Sequence, residues 1–185
     1  SPREVSQSAM TLQTPYAGSI RIPLDQMRSL KILSEGRRIV LDVAAHHLGE
    51  SISVEPPLLD PPVAEGNTLE RIVELESAID GPAVLALDVV QVVGESPGLP
   101  FSDLVRNGEL RTYVVLDGKR IDYLNPHIKT LNETVERIRI PIPAGALGRG
   151  THTIRIEQTA TAEDPAGFDD LGILQMALEI GSPAG

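Results

Sequence analysis

Three alternating runs within Arg111–Thr159 constrain the fold of this chain most. They are Thr112–Leu116, Val135–Ile142 and Thr151–Glu157. In the second, Ile138, Ile140 and Ile142 oppose Arg137 and Arg139; in the third, Ile154 and Ile156 oppose Thr153, Arg155 and Glu157. A period of two means a strand with one face buried and one wet. The first run ends in Asp117-Gly118, a dipeptide suited to the positive φ of a tight hairpin turn. Between the second and third lies PAGALGRG, which neither helix nor strand would keep. The pattern predicts an all-β fold, an antiparallel β-sandwich of jelly-roll type with little helix.

The rest of the chain extends this reading. Ser19–Leu24 and Arg38–Val43 read as strands, and Ala83–Val93, the most apolar run, reads as a central one. In Leu69–Glu76 alternation puts Leu69, Arg71, Val73 and Leu75 on one side, which favours a strand over a helix. Ile52–Val54 and Leu171–Ile180 complete a set of eight to ten strands with turn signals between them. Asp25–Leu33 is expected to form a helical turn or bend, with Asp25 as N-cap. Phe101–Arg106 is expected to form a short helix, after a loop at Gly94–Pro100. The proline-rich Glu55–Asn67 cannot be a central strand and reads as a surface loop. Residues 1–18 read as a polar arm or lead-in, and residues 19–182 as a single sandwich domain.

Composition narrows the function. Aromatic residues are 3% of the chain and tryptophan is absent, so the core must be aliphatic and aromatic sugar platforms are few. A net charge of −10 argues against nucleic acid, which demands a basic footprint. No run of about twenty apolar residues marks a membrane span. Zero cysteine excludes disulfides and thiol chemistry. No signal peptide is visible, and a start at Ser1 without Met suits a processed or excised piece. There is no G-x-S-x-G, phosphate-binding loop or dinucleotide fingerprint, which tilts the reading away from an enzyme.

A resemblance adds to this. The stretches "VVLDGKRI", "IPIPAGALGRGTHTIRIEQT" and "FDDLGILQMALEI" resemble the galactose-binding-like jelly roll over Arg111–Ile180. That family is common as accessory modules of secreted polysaccharide-degrading enzymes. The resemblance implies a non-catalytic module directed at a polysaccharide or glycan, part of a secreted or cell-surface protein with a larger parent chain. It also implies a structural Ca²⁺ near the final strand.

Several residues are candidates for chemistry. Tyr123, Asn125 and His127, with Phe168 from another loop, offer a ring, an amide and an imidazole for stacking on and hydrogen-bonding a sugar. The alternative is that Tyr123 and Phe168 plug the ends of the sandwich. Asp164, Asp169 and Asp170, with Glu74 and Glu76, supply carboxylates of the kind Ca²⁺ takes, or else a solvated acidic loop. His46 and His47, flanked by Asp42 and Glu50, are adjacent on a strand and point to opposite faces, so they suit one metal poorly. Asn132-Glu133-Thr134 is a glycosylation sequon. Arg137, Arg139, Arg155 and Glu157 are expected to pair with one another on a solvated outer face. A second function class stays open: a structural subunit of a shell, fibre or surface layer, self-assembling without a small ligand. A small acid/base or metal enzyme using His46, His47 or His127 is a third.

Overall fold

The computed structural model describes residues 2–5, 9–14, 18–23, 37–50, 62–131 and 134–181. The chain divides into two compact units, Ser1–Ser34 and Glu35–Gly185. The first holds β1 (Pro2–Val5), β2 (Ala9–Thr14) and β3 (Gly18–Pro23) as a three-stranded antiparallel sheet in that order. β2 and β3 pair in continuous register from Ala9↔Pro23 to Thr14↔Gly18. The structure therefore places two strands within residues 1–18, where the sequence suggested an arm or lead-in. Backbone hydrogen bonds can join strands whose side chains carry no alternation, which is why the polar composition gave no sign of it. The turn expected at Asp25–Leu33, the strand at Ile52–Val54 and most of the sequon lie outside the described residues.

The second unit is a sandwich of two antiparallel sheets. One contains β4 (Arg37–Asp42), β5 (His46–Leu48), β7 (Ala83–Val90), β10 (Glu136–Ile142) and β12 (Leu171–Ile180), in the order β10-β7-β12-β4, with β5 also on β12. The other contains β6 (Thr68–Leu75), β8 (Thr112–Leu116), β9 (Lys119–Tyr123) and β11 (Gly150–Gln158), in the order β6-β11-β8-β9. From β5 onward only the β8–β9 hairpin stays within one sheet; every other step crosses to the opposite sheet. That winding is jelly-roll grammar. Among the described residues one short α-helix occurs, α1 (Ser102–Arg106), which follows β7. Among the described residues no helix is long and apolar enough to cross a membrane.

The core is aliphatic, as the composition requires. Leu85, Leu87 and Val89 of β7 meet Ile138, Ile140 and Ile142 of β10, Ile154 and Ile156 of β11, and Leu69, Val73 and Leu75 of β6. Each such side chain contributes roughly 1.5–3 kcal/mol by leaving water. β12 carries a phase break: Leu171 and Ile173 face inward, and so do Met176 and Leu178. A bulge between Ile173 and Gln175, opposite Val89 and Asp88, absorbs the extra residue and restores the inward face.

The arginines expected on one outer face lie on two. Arg137 forks onto Asp88 with two 2.7 Å bonds, and Arg139 pairs with Glu179, both on the five-stranded sheet. Arg155 pairs with Glu157 on the four-stranded sheet. Arg137 and Arg139 thus pair outside the expected four, Arg155 pairs with Glu157 along one strand, and the two groups belong to opposite layers.

Candidate functional site

The site grows from the β8–β9 hairpin. Its two-residue turn has φ of 49° at Asp117 and 78° at Gly118, the mirror-image turn that matches strand twist. Counted from that turn, Leu116 meets Lys119 and Val115 meets Arg120; a bulge at Ile121 then brings Tyr123 directly opposite Tyr113. The two rings lie 5.9 Å apart, tilted by 47°. The Arg120 guanidinium sits 3.9 Å over the Tyr113 ring, and that of Arg111 sits 5.0 Å over the Tyr123 ring.

Carboxylates rim this group. Tyr123 donates its hydroxyl to Glu95 at 2.9 Å. Burial, then the Glu95 carboxylate, pushes the phenol above its usual pKa. Glu157 accepts from Arg120 at 2.8 Å and from Arg155 at 2.8 Å. Burial alone would raise Glu157, but the two guanidinium groups outweigh it and hold the carboxyl below its usual range. His127 Nε2 lies 3.1 Å from the Asp122 carboxylate, at the exit of β9.

Asn125 does something other than face a ligand. It is wholly buried in a 3₁₀ turn spanning Asn125–His127. Its Oδ1 accepts the Thr112 N–H at 2.9 Å, and its Nδ2 donates to the carbonyls of Val93 at 2.8 Å and Leu110 at 3.0 Å. The amide thus ties three chain segments together beneath the tyrosines. Val93, Val105 and Leu110 form a small apolar cluster there, and Tyr123 packs on it.

The carboxylates expected to hold Ca²⁺ point to separate partners. Asp169 is buried and accepts the Val93 N–H at 2.9 Å. Burial pushes its carboxyl up to about 7. Asp170 pairs with His47. Asp164 closes its own exposed turn by accepting from Ala166 N–H at 2.9 Å. Among the described residues no three acidic or histidine side chains converge as a metal-ligand set. This trio, as arranged, does not fit Ca²⁺, whose six to eight oxygens must share one point. Phe168 is half-buried in the same loop, its N–H bonded to the Ala166 carbonyl at 3.0 Å.

The histidine pair splits across its strand. His47 is buried; His46 faces the gap between β4 and β6. His46 Nδ1 lies 2.9 Å from Glu65, and Nε2 lies 2.7 Å from an Arg71 nitrogen and 3.1 Å from Asp42. Arg71 can only donate, and it also bonds Asp42. His46 is thus held between Glu65 at Nδ1 and the Arg71–Asp42 pair at Nε2. Burial would raise Asp42, but the Ala44 N–H and the Arg71 guanidinium outweigh it and hold the carboxyl low. Both nitrogens of His46 are committed to this strut, so the group has the residue types of acid/base chemistry without a nitrogen left for substrate.

Sequence reasoning missed Tyr113, Arg111, Arg120 and Glu95. Only the Asp-Gly turn hinted that residues before and after it would face each other.

No protein-family model matches the sequence, nor does the sequence of any curated protein. Solved structures match the chain only at low similarity. The glycoside hydrolase BuGH86 in complex with neoagarooctaose is 13% identical at a TM-score of 0.44, over 78% of this chain and 18% of its own. A family 35 carbohydrate-binding module from an environmental isolate is 14% identical at 0.37, over 64% of this chain and 72% of its own. The CBM36-1 domain of a xylanase from the hindgut metagenome of Trinervitermes trinervoides is 10% identical at 0.37, over 81% of this chain and all of its own.

Proposed function

We propose that this chain is a non-catalytic carbohydrate-binding module whose binding face is the Tyr113–Tyr123 corner. The observation that carries the reading is the paired tyrosine rings with a guanidinium over each. Rings and guanidinium groups give flat surface for the C–H face of a pyranose, and the surrounding carboxylates accept from its hydroxyls. Arg111, Arg120 and Arg155 are balanced by Glu95, Glu157 and Asp122, so the corner is close to neutral. A neutral sugar suits it better than a uronate, and the chain's net charge of −10 points the same way. The sequence resemblance adds that such a module belongs to a larger secreted or surface protein.

A first panel takes three neutral or weakly charged polysaccharides: neoagaro-oligosaccharides, xylan and arabinogalactan. In affinity electrophoresis and calorimetry, Tyr113→Ala and Tyr123→Ala should each weaken binding about 10-fold, the scale of one lost stacking contact. Unchanged affinity in both variants, with binding intact in the parent, sinks this location.

A further inference from the structure

We propose that Phe101 is a second sugar-stacking platform at the same corner, so that the ligand is an oligosaccharide spanning more than one ring. The inference rests on the carbohydrate-binding reading and extends its site.

Phe101 breaks two local rules at once. Its backbone is left-handed, at φ 58° and ψ 7°, a conformation that strains a residue bearing a Cβ. It also occupies the N-cap of α1, where Ser, Thr, Asp or Asn would supply an oxygen to an orphan N–H. Phe supplies none: no side-chain cap is made, and its carbonyl takes the Leu104 N–H at 3.0 Å. Glycine would adopt this φ without strain. Nor does the ring gain burial in exchange, since Phe101 is 63% exposed. Folding alone gives no account of a phenyl ring here; a ligand that covers the ring does.

The ring is held on a braced frame. Leu99 packs so closely over Gly94 that a Cβ there would lie 2.3 Å from its Cδ1. The Glu95 N–H bonds the Asn125 carbonyl at 3.1 Å, and Arg106 of α1 reaches back to the Glu95 carbonyl at 3.1 Å. The Glu95 side chain takes the Tyr123 hydroxyl. Tyr123 also packs on the cluster that includes Val105 of α1. One set of bonds therefore fixes the segment that presents Phe101 and the tyrosine that closes the hairpin. A preorganised ring loses little freedom on binding. Asp103 and Arg106, paired on the surface of α1, give it a polar border for sugar hydroxyls.

Two substitutions in the full chain test this against neoagaro-oligosaccharides, xylan and arabinogalactan. Phe101→Gly removes the ring and relieves the backbone. Its melting temperature should stay level or rise while affinity for the bound polysaccharide falls at least about 10-fold. Phe101→Trp introduces the sole indole of the chain, which has no tryptophan. It should bind at least as tightly as the parent and change its emission at saturation. Unchanged affinity in Phe101→Gly, or an indole emission unmoved at saturation, overturns the platform. If Tyr113→Ala still loses binding, the module reading survives that result. A parent chain that binds none of the three overturns both.

Discussion

At the edge between β4, β5 and β6, His46 has a partner on each ring nitrogen, Arg71 bridges it to Asp42, and His47 is closed against Asp170. At the α1 corner, Tyr123 spends one hydroxyl on Glu95, and Phe101 leaves most of its ring in solvent. The edge holds the residues a chemist would pick first: two imidazoles, several carboxylates and an arginine. Its groups satisfy one another. The corner holds charged groups as well, and they too pair, but it adds aromatic rings with surface facing outward. What separates the two is what is left to face outward: a closed set of ion pairs at the edge, aromatic ring surface at the corner. The regions meet at Val93, whose N–H goes to Asp169 and whose carbonyl receives Asn125.

The sharpest break in this comparison comes from Asn125. Asn125→Ala leaves the Thr112 N–H and the carbonyls of Val93 and Leu110 without their partner. Each buried orphan costs at least about 1 kcal/mol, so the loss from three should be roughly 3 kcal/mol or more in urea denaturation. A loss under about 1 kcal/mol would mean the amide is no frame and the corner is not braced as described.

Asp169 gives the next largest effect, and it depends on pH. Its carboxyl rises from an ordinary 3.8 to about 7 in the folded chain because burial disfavours its charge. The native state therefore holds a proton that the unfolded chain releases. The stability this group contributes is complete below about pH 4, falls as pH rises toward 7, and is flat above that. Over that window the difference amounts to a few kcal/mol. Asp169→Asn keeps an acceptor for the Val93 N–H and removes the charge. It should flatten the slope, read as the difference between the two proteins across pH 4–8. Parallel curves would show that Asp169 is ionised or hydrated at neutral pH.

The sheets were legible because alternation survives wherever a strand has one wet face, as in β10 and β11. The Leu69–Leu75 alternation was legible too, down to the half-buried Arg71 among its apolar neighbours. The proposed binding corner was legible only in part. Tyr123 could be chosen by residue type, but its partner could not. With regular pairing from the Asp-Gly turn, Tyr113 would face Asp122. The bulge at Ile121 moves the register by one, and nothing in KRIDY announces it. Asn125 misled for a related reason. An amide in a turn looks the same in sequence whether it meets water or three backbones, and its partners on Val93 and Leu110 are 32 and 15 residues away.

At the edge, Arg71→Met tests whether the charged cluster is a strut. The variant keeps the length of the stem and removes the guanidinium between Asp42 and His46. Asp42 retains the Ala44 N–H at 2.8 Å, so the cost should be moderate, about 1–3 kcal/mol for a half-buried charged bond. Because the arginine helps hold the Asp42 carboxyl low, the loss should appear above the ordinary carboxylate range and fade in acid. Polysaccharide binding should not change. A variant that keeps its stability but loses binding would move the site from the corner to the edge.

The smallest effect belongs to Tyr123→Phe. It deletes one hydroxyl and leaves the ring, its stack with Tyr113 and the guanidinium of Arg111 in place. One hydrogen bond to Glu95 is lost, with a net cost of about 0.5–1.5 kcal/mol. Glu95 lies near the surface, so water can replace the hydroxyl and the lower end of that range is expected. If the ring is what a sugar meets, affinity should change less than about 3-fold, against about 10-fold for Tyr123→Ala. The ratio of these two losses separates stacking from hydrogen bonding at a single position. Equal losses in the two variants would assign the contact to the hydroxyl and Glu95, and the corner would then read its ligand through polar groups as the edge reads itself.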